Sequence, residues 1–171
     1  MLIDKFNHTI DFWIKELEQY DFTQLCAKPT STSWSVGQVY MHLIENTDWF
    51  IGQIKICVST NDHSLEQSLP AAKAMFLNND FPDEALEGPP SNADTLQPEN
   101  KEQLMNCLLT LKTEINNVGR LISESQFNGK TKHPGLNYFS AREWFQFAEM
   151  HLRHHKRQKK RIDEFLRINK C

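Results

Sequence analysis

The sequence has little that would place the protein in a membrane or in an oxidising compartment. No stretch of about 18 residues is apolar throughout, and the N-terminal Met1–Lys5 reaches charged side chains too early for a secretory leader. The cysteines are scattered and form no C-x-x-C pair, which argues against a disulfide framework. We therefore expect a soluble cytoplasmic protein with reduced thiols at Cys26, Cys57, Cys107 and Cys171.

Several catalytic and binding motifs are missing as well. The chain has no Gly-rich phosphate loop, no Ser-His-Asp or Cys-His arrangement and no E-x-x-H repeat of the di-iron bundles. Its net charge of -3 provides no overall positive field for nucleic acid or an anionic membrane. What remains is an ordinary globular composition, 39% hydrophobic and 24% charged over 171 residues, which predicts one domain spanning residues 1–171.

Four segments have the hydrophobic period of an amphipathic helix, at residues 2–20, 35–58, 99–122 and 140–168. The second and fourth begin with matches to the capping box, in which a serine and a Gln or Glu three residues later each bond the other's backbone N–H. Pro98 and Glu99 suit the first turn of the third. Its apolar seam consists of Leu104, Leu108, Leu111, Ile115, Val118 and Ile122.

A long polar crossover, Ser59–Pro98, separates the second and third helices and contains five of the seven prolines. We predict a short helix within it at about Leu65–Leu77 and a mobile tail at Gly88–Asp94. No other part of the chain has a convincing strand pattern. The expected fold is all-α, a four-helix bundle with a long crossover between helices 2 and 3.

The histidines provide the most specific signal. On the fourth segment the core-facing line continues from apolar residues into His151 and His155, while His154 falls on its flank. Imidazoles four residues apart on a helix can converge on one ion at ~2.0–2.1 Å, with Gln158 next in line to orient one of them. The same pattern also fits buried histidines with ordinary hydrogen-bond partners. A third donor is needed, and periodicity leaves open whether His42 faces the same point.

Two stretches resemble a known family. Residues 33–43, which read Ser-Trp-Ser-Val-Gly-Gln-Val-Tyr-Met-His-Leu, are similar to the second-helix signature of DinB-like proteins. His133-Pro134-Gly135, Trp144 and residues 149–158 resemble the loop and fourth helix of the DinB_2 and DUF1569 subgroup. The layout of the whole chain is similar to that of the DinB/YfiT-like superfamily of metalloenzymes. The long crossover is the one departure from the pattern of that superfamily.

The resemblance implies that His42, His151 and His155 hold one divalent metal ion, with Zn or Ni favoured and Fe or Cu as alternatives. It also implies hydrolase or low-molecular-weight thiol transferase activity on a small-molecule substrate or thiol. Three imidazoles leave a coordination position open, where an ion can lower the pKa of water towards ~7 or activate a thiolate. A hydrolase would need a general base, for which Glu45, Glu149 and His133 are the candidates.

Two alternative functions of the chain would involve no metal chemistry. The chain could be a non-catalytic bundle that acts as a binding or dimerisation module, and a homodimer is compatible with either function. The basic run at residues 154–161 could instead bind nucleic acid. We favour a solvated helix face over nucleic-acid binding, because acidic residues between positions 80 and 102 leave no broad positive footprint.

Overall fold

The computed structural model describes residues 2–82 and 95–168. Most of this part of the chain is helical, and one small antiparallel sheet precedes the last helices. The helices are α1 Leu2–Leu17, α2 Phe22–Cys26, α3 Val36–Cys57, α4 Pro70–Asn78, α5 Lys101–Glu124, α6 Ala141–His154 and α7 Lys156–Ile168. The strands are β1 Lys130–His133 and β2 Asn137–Ser140.

The long helices bury their apolar faces against one another, with α1 and α3 both packing on α5 and α6. This packing confirms the prediction of an all-α class. No helix within the described ranges has the length and apolar character that crossing a membrane requires. The fully buried side chains of the core include Phe6, Ile10, Trp13, Leu43, Ile54, Leu108, Ile115, Trp144 and Ala148.

Local capping fixes where helices α3 and α6 begin. Ser35 accepts a hydrogen bond from the Gln38 backbone at 3.1 Å, and Ser140 accepts one from the Glu143 backbone at 3.3 Å. Both capping boxes are complete, as the sequence predicts. The short helix α2 was not predicted, although the Asp21 side chain caps it in the same way.

Three predicted boundaries need correction. Helix α5 starts at Lys101 with Asn100 as its cap, so Pro98 and Glu99 precede the first turn. The crossover helix begins at Pro70 rather than Leu65, because proline is favoured at the first helical position. Helix α1 ends at Leu17, before residue 20. The predicted mobile tail at Gly88–Asp94 and the Cys171 thiol lie outside the described residues.

The β-hairpin was also missing from the prediction. Strands β1 and β2 pair antiparallel, with Lys130 opposite Ser140 and His133 opposite Asn137. Each strand has four residues and β1 is largely polar, so the alternation that identifies a half-buried strand is too short to be recognised. The hairpin sets the direction in which the chain enters α6.

The fourth predicted segment is not one continuous helix. It breaks at His155, whose ψ of −10° departs from the α-helical value of about −42°. Backbone hydrogen bonds still cross the break, from His155 to the His151 carbonyl at 3.3 Å and from Lys159 to the His155 carbonyl at 3.0 Å. No proline or glycine marks this position, so periodicity alone does not reveal it.

Candidate metal centre

Three histidines meet between α3 and the junction of α6 with α7. His42 lies two turns after the Ser35 cap of α3 and is buried. His151 lies in the last turn of α6, and His155 occupies the break; both are partly buried. Because α3 packs along α6, the side chain of His42 reaches the pair on the other helix.

The ring nitrogens are close enough to share one ion. The His151 Nε2 atom lies 3.1 Å from Nε2 of His42 and 3.2 Å from Nε2 of His155. Two nitrogens that each bind an ion at ~2.0–2.1 Å are separated by roughly 3.0–3.4 Å at near-tetrahedral angles. One ligand atom of each histidine lies within 4.8 Å of the others, so the cluster is compatible with a bound metal ion.

Polar side chains orient two of the three rings. The Gln158 Oε1 atom lies 2.8 Å from Nδ1 of His155 and can only accept, so Nδ1 carries the proton and Nε2 presents its lone pair. The Asn46 Nδ2 atom donates to the His42 carbonyl at 2.8 Å and lies 3.1 Å from Nδ1 of His42. An acceptor at Nδ1, such as Gln158 provides for His155, fixes the direction and the tautomer of a ligating imidazole.

The surroundings keep the histidines neutral. Burial, followed by repulsion from His155, lowers the pKa of His42 to about 4. Burial also lowers the pKa of His155 to about 4, although its hydrogen bond with Gln158 acts in the opposite direction. Burial and the other two rings hold the pKa of His151 well below its ordinary value. Neutral imidazole is the form that binds metal.

Aromatic rings enclose the centre. The Trp34 ring lies 4.9 Å from the His42 ring, and the Phe50 ring lies 5.6 Å from that of His151. Phe50 in turn stacks on Trp144 at 5.6 Å between centroids. Within residues 2–82 and 95–168, no carboxylate forms an ion pair or hydrogen bond with the three rings. The aromatic rings and carboxamides that touch the three imidazoles are uncharged.

The family model of the DinB superfamily matches residues 6–158 of the 171-residue chain. The chain belongs to the DinB superfamily. The resemblance predicted from the sequence is thereby confirmed, and the matched range includes His42, His151 and His155. A comparison with curated proteins finds no match.

Two carboxylates predicted as bases of this DinB protein have different surroundings. Glu45, one turn beyond His42, has an exposed side chain. Glu149 is 2% exposed and accepts hydrogen bonds from Thr9 at 2.8 Å and from Arg153 at 3.1 Å and 3.0 Å. These contacts join α6 to α1, on the side of α6 away from α3. A catalytic role for either carboxylate stays a prediction.

The third predicted base, His133, lies at the end of β1. Its ring packs 5.1 Å from Phe139, 5.5 Å from Trp144 and 5.1 Å from Phe147, and its Nδ1 atom accepts from the Gly135 backbone at 3.1 Å. Burial lowers its pKa to about 4. Its ring contacts Trp144, which stacks on Phe50, and Phe50 contacts His151. A catalytic role for His133 also stays a prediction.

Sequence reasoning missed several side chains that touch the candidate ligands, among them Asn46 and Trp34. Asn46 follows His42 by one turn, a spacing that could have identified it as a partner of that ring. Trp34 belongs to the stretch 33–43 that resembles the family, but the contact of its ring with His42 was not predicted. No local signal reveals this contact, because it depends on how the chain bends before α3.

Proposed function

We propose that this DinB protein is a metal-dependent enzyme that uses a divalent ion held by His42, His151 and His155. The convergence of three Nε2 atoms at 3.1 Å and 3.2 Å supports this proposal. Three neutral donors leave a coordination position open, which is characteristic of catalytic sites. We further propose one cytoplasmic four-helix-bundle domain, with Zn or Ni as the favoured ion and Fe or Cu as alternatives.

The bound ion would supply Lewis acidity at the open position. The residues of the chain perform the remaining tasks. Gln158 holds the Nε2 lone pair of His155 towards the ion, and Asn46 restrains the ring of His42. Trp34 and Phe50 exclude water from the sides of the ligating rings. Exclusion of water strengthens the electrostatic interactions within the site.

Of the two reaction classes, we favour transfer of a low-molecular-weight thiol to an electrophile over hydrolysis. In this reaction the thiol loses its proton to water and the sulfur forms a bond to the electrophilic carbon. The bond from that carbon to the leaving group breaks, and the leaving group departs with its electron pair. A metal ion can activate a thiol without a protein base, because it lowers the thiol pKa directly. Hydrolysis commonly uses a general base, and no described carboxylate is hydrogen-bonded to the histidine cluster.

The alternative of nucleic-acid binding through α7 has little support, because most of the cations concerned already have partners. Lys159 is 3% exposed and pairs with carboxylates of the bundle. Arg157 lies 3.8 Å from the carboxylate of Asp80, and Lys156 lies 4.1 Å above the ring of Phe12. This distribution favours a solvated helix face.

Metal analysis of freshly purified protein tests the proposed function. We expect about one ion per chain, lost in His151→Ala and retained in His8→Ala, which removes an exposed histidine outside the cluster. Circular dichroism checks that both variants stay helical. Chelated and reloaded protein is then assayed with thiol-transfer, ester and amide substrates. Metal retained by His151→Ala would contradict the ligand set, and bound metal without turnover would favour the non-catalytic binding or dimerisation module.

A further inference from the structure

Trp49 exposes a large aromatic surface on the face of α3 that holds the metal ligand. His42, Asn46 and Trp49 are spaced by four and three residues, so their side chains follow one another along one face of the helix. The Trp49 side chain is 43% exposed, whereas His42 is 6% exposed. Trp49 therefore lies at the boundary between the buried centre and the protein surface.

The exposed indole is continuous with the metal centre. Its ring lies 5.3 Å from that of Trp144 and 5.6 Å from that of Phe50. Phe50 is buried, and its ring contacts His151 edge-to-face at 5.6 Å. An aromatic layer thus connects the protein surface to a proposed ligand.

A single exposed hydrophobic residue is ordinary on a protein surface and needs no explanation. Phe22 on α2, 44% exposed, is such a case, since no described aromatic ring packs against it within α1 to α7. Trp49 differs because it forms the outer edge of an aromatic layer that ends at the metal centre. Covering such a layer with a ligand ring removes apolar surface from water and adds an edge-to-face or stacked contact.

The side chains described above as touching the proposed ligands are uncharged as well. Trp34 lies against His42, and the carboxamides of Asn46 and Gln158 contact ligand rings. An anionic or cationic substrate group placed among them would lose its hydration without gaining an ion-pair partner from these residues. The lining favours a neutral substrate group.

From these observations we infer that the electrophile of the proposed reaction carries an uncharged aromatic group, which stacks on Trp49 and makes this residue a determinant of specificity. The inference rests on the proposed function, because it presumes that the substrate reaches the ion. Seven residues separate His42 from Trp49, which corresponds to roughly 10 Å along the helix at 1.5 Å per residue. The aromatic group must therefore lie several bonds from the reacting atom.

The test uses zinc-loaded, full-length protein and two hydroxamates that bind metal through the same head group. Butanohydroxamate carries only an alkyl chain on the head group. In 4-phenylbutanohydroxamate the same alkyl chain ends in a neutral phenyl ring. Calorimetric titration gives the affinity gained by adding the ring. We expect this gain to fall about two- to tenfold in Trp49→Ala, in line with the energy of one aromatic contact, and to be largely restored in Trp49→Phe.

Phe22→Ala is the matched control, because it removes a side chain of almost equal exposure from a different helix. We expect it to leave the affinity gained from the ring unchanged, and metal content and circular dichroism verify that each variant is folded and loaded. An equal gain in Trp49→Ala and the parent protein, or no gain in either, would overturn the inference while leaving the metal-dependent function intact. Failure of the parent protein to bind zinc would overturn both.

Discussion

At the scale of single residues, the candidate metal centre depends on which nitrogen of each imidazole carries the proton. Gln158 settles this for His155, because its carbonyl oxygen accepts from Nδ1 at 2.8 Å and leaves Nε2 unprotonated. The Nε2 atom of His155 then faces that of His151 at 3.2 Å. The unprotonated Nε2 atom of His155 is thereby directed into the histidine cluster, as coordination of a shared ion requires.

Gln158→Ala should weaken metal binding without removing a ligand. Loss of the acceptor frees the His155 ring to rotate, and mutations of such partners typically reduce metal affinity about 10- to 100-fold. Competition with a fluorescent zinc chelator measures the dissociation constant. Gln19→Ala is the control, since this exposed side chain bonds only Glu16, and it should leave the affinity unchanged. Equal affinities in both variants would contradict the orienting role of Gln158.

At the scale of helices, a buried ion-pair network attaches α7 to the rest of the molecule. Lys159 donates to Glu16 of α1 at 2.6 Å and to Asp163 of its own helix at 2.7 Å. Tyr20 donates a short hydrogen bond to Asp163, and burial, followed by that bond, raises the pKa of the phenol. The network holds α7 against α1 just beyond the break at His155.

Lys159→Met should therefore destabilise the protein strongly. The Lys159 side chain is 4% exposed, and its removal leaves two largely buried carboxylates without their cation. Breaking a buried ion pair in this way costs about 3–5 kcal/mol of unfolding free energy. Urea unfolding followed by circular dichroism measures the change. Lys160→Met, at an exposed neighbouring position, should change stability by less than about 0.5 kcal/mol. A similarly small effect for Lys159→Met would show that the network contributes little.

At the scale of the whole molecule, packing the histidines between helices makes stability depend on pH. Burial, followed by repulsion from His155, lowers the pKa of His42 in the folded state to about 4. Burial alone lowers the pKa of His133 to about 4. In the unfolded chain the value is about 6.5. The unfolded state therefore binds more protons between these values. The stability that these neutral histidines contribute is fully present above about pH 6.5 and is lost as the pH falls towards 4.

Metal-free protein should thus lose unfolding free energy progressively as the pH falls from about 6.5 to about 4. Because glutamine cannot titrate, His42→Gln should reduce the slope of this loss. The exposed position His8 provides the control variant His8→Gln, which should keep the slope of the parent protein. Urea titrations across this pH range measure the unfolding free energies. Equal slopes in the parent and His42→Gln would contradict burial of a neutral His42.

Local sequence determined the helical class, the Ser35 and Ser140 caps and the pairing of His151 with His155, because capping and four-residue spacing act within one helix. The family was also recognisable from residues 33–43 and 149–158. Tertiary structure alone decided the rest: His42 meets the other two only because α3 packs on α6. The hairpin, the break at His155 and the aromatic layer ending at Trp49 likewise depend on contacts between distant parts of the chain, which no local pattern encodes.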